Sequence, residues 1–238
     1  MAKNASPTLI YEEGGFLAVG KPAGTLTHPI NASGSEKTLV DWVLERYPEV
    51  RKVGDNPILR PGIVHRLDRE TSGILIVARS QDFFDYFKGL LQTGGVKKTY
   101  RALLWGKLPE SGVIDVPIGL KSGTTRRTTR GRKQKMVKSA VTEYRALAYL
   151  SHDSLSFTLA ELRPRTGRTH QLRVHMAHIG HPVLGDAMYG KREAPFPVPR
   201  QMLHAETLEF ALPEGKRIRL EMPIPEDFEN VLALLEKS

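Results

Sequence analysis

The chain has 238 residues with 40% apolar content and modest Gly and Pro, which describes an ordinary folded protein large enough for one sizeable domain or two small ones. No run approaches the roughly 18 apolar residues of a membrane span, the start "MAKNASPTLIYEEGG" has no apolar secretory segment, and the lack of cysteine excludes disulfides, thiolate chemistry and Cys-ligated metals. The 35 basic and 26 acidic residues give +9, yet residues 121–138, "KSGTTRRTTRGRKQKMVK", hold eight basic residues and no acid, so the 27 basic and 26 acidic residues elsewhere carry only +1. In chain order, "LIYEEGGFLAVGKP" predicts two short strands joined at Gly14-Gly15 and ending at Lys21-Pro22. Apolar residues at 39, 40, 43, 44 and 47 predict a helix stopped by Pro48. "GILIVARS" predicts a buried strand, after which Ser80 caps a helix running through Leu91, with Phe83, Phe84, Phe87, Leu90 and Leu91 inward and Gly94 at its end.

"VKKTYRALLWG", "VTEYRALAYL" and "SLSFTLAELRP" read as further strands, a meander with the basic segment as a loop inside it. "RTHQLRVHMAHIG" predicts a helix ending at Gly180, and "PEDFENVLALLEK" another, with Pro at its start, acids in its first turn and Lys in its last. Strands and helices do not alternate as βαβ units. The expected class is therefore α+β, a mixed and mainly antiparallel sheet with flanking helices in one continuous domain, 1–238. With neither leader nor span, the cytoplasm is the expected location.

A focused basic patch is what a polyanion binder uses to displace condensed counterions; the alternative is a solvated, flexible loop. GxxxxGK[ST] and a strand-following GxGxxG are both missing, which leaves nucleotide cofactors without support. His170, His175, His178 and His181 fall within twelve residues, but only 175 and 178 share a helical face and no acid accompanies them, so bonds to the sheet or to RNA phosphate are favoured over a metal site. Asp68 stands in "HRLDRETSG" between Arg66 and Arg69, at the mouth of an apolar strand. Spacing alone leaves three readings open: a surface acid, a structural ion pair, or a carboxylate kept charged for attack at a nucleotide's ribose or base.

The segment "GIVHRLDRETSGILIVARS" (62–80) resembles the signature of pseudouridine synthases of the RluA family. "VGKPAGTLTHP" (19–29), "KKTYRALLWG" (97–106) and "RPRTGRTHQLRVHMAHIGHPVLGDAMYG" (163–190) resemble its other motifs in the right order, with Gly20 where Asn is common. The resemblance spans about residues 9–222 and leaves no room for the N-terminal S4-like domain of longer relatives, so its absence is expected. It implies a pseudouridine-synthase catalytic fold with a central cleft, an isomerase acting on uridines in structured RNA, either large-subunit ribosomal RNA or tRNA, and no DNA or membrane partner. It implies no cofactor or metal, because the isomerisation conserves mass and oxidation state, and a monomer is expected. Asp68 matches the catalytic aspartate, whose adduct at ribose C1′ or the base, or a glycal intermediate, stays undecided. Tyr100 matches the tyrosine that stacks on the flipped base, against the alternative of a core tyrosine sharing a face with Val96, Ala102 and Leu104. Arg173 matches the cation that keeps the aspartate ionised, against a helix-surface arginine. Arg66 matches an arginine that enters the RNA stack, against the alternative of a phosphate contact, while Leu172 is expected as a wall and His65 as scaffold. Lys21, Arg126, Arg127, Arg130, Arg132, Lys133, Arg168 and His170 are the remaining expected RNA contacts.

Overall fold

The computed structural model describes residues 5–31, 34–124, 126–129, 134–190 and 192–237. It divides into two compact units, one of residues 1–97 and 205–223, the other of 98–204 and 224–238. In the first, β1 (Thr8–Glu13) and β2 (Phe16–Lys21) form the expected hairpin, and β2 pairs antiparallel with β3 (Ser72–Ala78). Helix α1 (Leu39–Arg46) begins at Thr38 with a reciprocal capping box to Asp41. Helix α2 (Gln81–Thr93) begins at Ser80, whose hydroxyl accepts from Phe83 N, and ends at Gly94 in the left-handed region. Phe83, Phe84 and Phe87 fill the core against Phe16, Ile74, Ile76 and Phe210. Gly73 has φ 127°, and any Cβ there would collide with the backbone of Ala205, so glycine is required for the next strand to pack beside β3.

The second unit contains β4 (Lys97–Trp105, apart from its first residue), β5 (Ser111–Asp115), β6 (Ile118–Lys121), β7 (Arg127–Thr128), β8 (Gln134–Lys138), β9 (Val141–His152), β10 (Leu155–Pro164) and α3 (Gln171–His178). β10 pairs antiparallel with β4 on one side and β9 on the other, and β5 extends β9. The chain returns to the first unit through β11 (Leu203–Ala211) and β12 (Arg217–Glu221), an antiparallel hairpin, and closes in the second with α4 (Glu226–Leu232) and β13 (Glu236–Lys237). The class is α+β, as expected, with antiparallel ladders and four α-helices among the described residues. None of the described helices is long and apolar enough to cross a membrane.

Two expectations need correction. The final helix has its acids in the first turn, but it stops at Leu232 and Lys237 is not in its last turn. Residues 236–237 instead pair with Ser151 and Leu150, which covers an edge of β9. The basic segment is also not simply a loop. β6 pairs with β7 and β8 to make a separate three-stranded sheet, anchored where Ile118 and Ala140 pack with Val174 and Tyr189. Met136 and Val137 on it remain exposed.

Candidate active site

Asp68 sits in the first unit, on a loop whose backbone is clamped by residues 21–27. Thr27 Oγ1 donates to Leu67 O at 3.0 Å, Gly24 N donates to Arg69 O at 3.0 Å, and Thr71 N closes a turn onto Asp68 O at 3.1 Å. Leu67 is buried as the anchor, His65 Nε2 accepts from Ile76 N at 3.0 Å, and the Asp68 side chain stays half-buried. Arg69 reaches Glu36 at 2.6 Å, so this neighbouring arginine already has a carboxylate other than Asp68. Arg66 is exposed. Burial first, then the charges of Arg66 and Arg60, hold the His28 pKa below its ordinary value, which marks a local concentration of positive charge.

Lys21 was expected on the RNA surface, and the structure corrects this. It is 0% exposed, and Nζ donates to Pro22 O, Thr25 O and Arg69 O at 2.8, 2.8 and 2.9 Å. A buried ammonium with three carbonyl acceptors fastens the Asp68 loop to the end of β2 and has no surface to give a phosphate. Each carbonyl left unsatisfied would cost about 1–3 kcal/mol. The chemistry of "GKP" is thus structural support for "RLDR".

Tyr100 sits in the second unit, opposite Leu162 on β10, and packs against the cluster of Ala102, Leu104, Leu162 and Leu172. It shares the face anticipated from periodicity, yet is only half-buried. Lys98 shares its strand face two residues earlier. Its Nζ lies 3.8 Å from where a Cβ on Gly167 would stand, burial holds its pKa below the ordinary lysine value, and no carboxylate among the described residues answers its charge.

Arg173 is not a surface arginine: it is 7% exposed on α3. Nε and Nη2 donate to the two oxygens of Asp186 at 2.7 and 2.9 Å, and Asp186 Oδ1 also accepts from Met188 N and Tyr189 N. Burial pushes the Asp186 pKa up, but the hydrogen bonds and charge of Arg173, with the two amides, outweigh it and hold the carboxyl below its ordinary value. Gln171 fastens the preceding turn. Its Oε1 accepts from Arg168 N and Thr166 Oγ1, and its Nε2 donates to Val141 O and Thr142 Oγ1. Arg168 Nε is spent on Ser139 O at 2.9 Å.

The four clustered histidines share no partner among the described residues. His170 Nδ1 meets Tyr189 Oη, His178 Nδ1 meets Thr129 Oγ1, and His181 Nδ1 donates to Trp105 O, each at 2.9 Å. His175 is fully buried; Nε2 must donate to Val116 O, which leaves Nδ1 to accept from Thr142 Oγ1. Burial above all holds its pKa below the ordinary value, so the ring is a neutral structural group.

On the basic sheet, Arg126 is exposed and its Cζ lies 5.1 Å from the centroid of Tyr189. Arg127 Nε is buried with no hydrogen-bond partner among the described residues. Arg130, Arg132 and Lys133 lie outside the described residues. Asp186, Tyr189 and Lys98 were not singled out from the sequence. The spacing of Asp186 and Tyr189, three apart in "GDAMYG", matches a turn in which the acid caps the later amides, and that is the signal they carry.

The family model of RNA pseudouridylate synthases matches residues 15–178. An uncharacterized RNA pseudouridine synthase of Chloroflexus aurantiacus is 40% identical over 91% of this chain and 65% of its own length. Ribosomal large subunit pseudouridine synthase D of Pseudomonas aeruginosa is 36% identical over 100% of this chain and 74% of its own. The chain therefore spans about two thirds to three quarters of these relatives. Among solved structures, human RNA pseudouridylate synthase domain containing 1 superposes with a TM-score of 0.77 at 27% identity, covering 100% of this chain and 91% of that one. The matched span holds the clamped "RLDR" loop, the Tyr100 strand and the Arg173 helix, and on these grounds the chain belongs to the RNA pseudouridine synthase family, a family of isomerases.

Proposed function

We propose that this protein converts specific uridines of structured RNA to pseudouridine, with Asp68 as the nucleophile. The observation that carries the reading is the Asp68 loop: three backbone oxygens in a row, of Leu67, Asp68 and Arg69, are held, while the carboxylate itself stays half-exposed. A rigid backbone under an accessible acid is what preorganised attack requires. Uracil is detached at N1, rotated and rejoined through C5, a rearrangement that needs neither oxidant nor metal. Because C1′ and C5 are inaccessible in stacked RNA, the nucleotide must leave the stack. Arg66, exposed two residues before Asp68, is the group offered to the vacated stack or the adjoining phosphate. Tyr100 supplies the surface on which the base stacks, and Arg173, at the position of the family's active-site arginine, is the site's cation. Lys98, a cation without a counter-charge beside Tyr100, suits a phosphate or a developing base oxyanion.

The printed names of the curated relatives favour large-subunit ribosomal RNA over tRNA as substrate. The test is carbodiimide modification and primer extension on total RNA from cells with and without the gene. A gene-dependent stop in large-subunit RNA is expected; a stop confined to tRNA would overturn the substrate class, and no stop at all would overturn the activity.

Grip on RNA should reside in the basic sheet, through Arg126 and Arg127 and the basic residues around them. Binding should therefore weaken steeply with salt, with a log–log slope of about −0.7 to −0.9 per phosphate neutralised. Replacing Arg126 and Arg127 together by Ala should lower that slope by about one to two. A Kd that stays flat between low and moderate salt would sink this assignment.

A further inference from the structure

Tyr189 joins two features of the second unit that the proposed reaction uses separately, the basic sheet and the arginine of α3. Its ring centroid is 5.1 Å from the guanidinium carbon of Arg126 and 5.1 Å from that of Arg173. Its hydroxyl accepts from Arg127 N at 3.1 Å and meets Nδ1 of His170 at 2.9 Å. Its own amide is capped by Asp186, the carboxylate that holds Arg173. The residue is 7% exposed, packed with Ile118 of β6 and Val174 of α3. One aromatic ring thus touches the β6–β7 turn by stacking and by hydrogen bond, and touches Arg173 by stacking and through a shared acid.

We propose that Tyr189 is a positioning residue that couples RNA contact on the basic sheet to the placement of Arg173. Two guanidinium groups drawn to one aromatic ring repel each other, and Asp186 neutralises only the one it grips. An RNA phosphate on Arg126 neutralises the other. It thereby favours the arrangement in which Arg173 is stacked on Tyr189 and paired with Asp186. Linkage makes the effect reciprocal: an ordered Arg173 also tightens the sheet's hold on phosphate. The sheet then does more than raise the local concentration of RNA, since its occupancy is sensed at a residue matching the family's active-site arginine. This inference rests on the proposed isomerase activity and adds a residue to it.

The experiment is a double-mutant cycle with R126A and Y189L on the full chain, measuring RNA Kd and the single-turnover rate at saturating RNA. A simple phosphate contact would change Kd alone. Coupling predicts that R126A also slows the saturated rate by about three-fold or more in the wild-type background, and that this slowing disappears when Tyr189 is already Leu. Y189F keeps the ring and should retain most of the saturated rate while weakening RNA binding about two- to five-fold through the lost Oη bonds. Where Y189L does not fold, R126K is compared with R126A in the wild-type background: coupling predicts that R126K, which keeps the cation, recovers most of the saturated rate that R126A loses, and an R126K rate as slow as that of R126A overturns it. Additive effects on the saturated rate, or an R126A rate equal to wild type, overturn the coupling. An inactive wild type would instead overturn the isomerase reading itself, so the two failures are distinct.

Discussion

Asp68→Asn leaves the fold and RNA affinity near those of the wild type and removes turnover by on the order of a thousand-fold or more, the scale on which loss of an enzymatic nucleophile is felt. The structure explains why the two effects separate. The loop is held through backbone oxygens at Leu67, Asp68 and Arg69 and through the buried Leu67 side chain, none of which the substitution touches. The side chain is half-buried, Asn has nearly its shape, and stability should move by no more than about 0.5–1 kcal/mol. On the proposed mechanism what is lost is the anionic carboxylate oxygen that acts on the target nucleoside, for which an amide is no substitute. The measurement pairs thermal unfolding and RNA binding with primer-extension detection of product. Product from the Asn variant, once deamidation back to Asp has been excluded by mass, would place the nucleophile elsewhere. A protein that only binds RNA on this fold would show no difference between the two forms in any of the three measurements.

Much of this arrangement was legible in the sequence, and the illegible parts share a physical character. The end of α1 follows from Pro48 and the α2 boundaries from Ser80 and Gly94, because breakers and caps are local signals. β4, β9 and β10 declare themselves by alternation; β11 and β12 carry the same signal, with Leu208 and Phe210 facing Ile218 and Leu220 across the hairpin. The basic sheet does not, since β6, β7 and β8 contain four, two and five residues and take their anchorage from Tyr189 and Val174, far along the chain. Tertiary pairing overrides a composition that reads as loop. Lys21 shows the same limit from the other side: a lysine in a polyanion binder reads as a phosphate contact, and only the convergence of carbonyls from Pro22, Thr25 and Arg69 shows that it is internal. Arg173 was legible as a site residue by resemblance, but its bond to Asp186, thirteen residues on, required the turn at Gly185. That glycine has φ 75°, and any Cβ there would strike the carbonyl of Arg200.

Loss of the Asp186 carboxylate has a large expected effect on the stability of the second unit. It is 3% exposed and accepts four hydrogen bonds, two from Arg173 and one each from the amides of Met188 and Tyr189. Asp186→Ala removes the acid while the guanidinium stays buried, and breaking such a pair from one side costs about 3–5 kcal/mol, far more than the pair's net worth against a hydrophobic replacement. For a chain of this size that corresponds to a fall in Tm of roughly 6–20 °C. Removing both charges, as in Arg173→Met with Asp186→Leu, should recover part of the loss, because no buried charge is then left over. The pH dependence has a fixed sign. The folded carboxyl lies below the ordinary 3.8, so its contribution is complete above that value and is lost as pH falls through the lower folded pKa. The Ala variant should therefore be less stable than wild type at neutral pH, with the gap closing in acid below pH 3.8. Thermal unfolding of the three proteins between neutral and acidic pH decides it: an Ala variant within about 2 °C of wild type at neutral pH would mean that Arg173 does not depend on Asp186, and the support assigned to that arginine would fall.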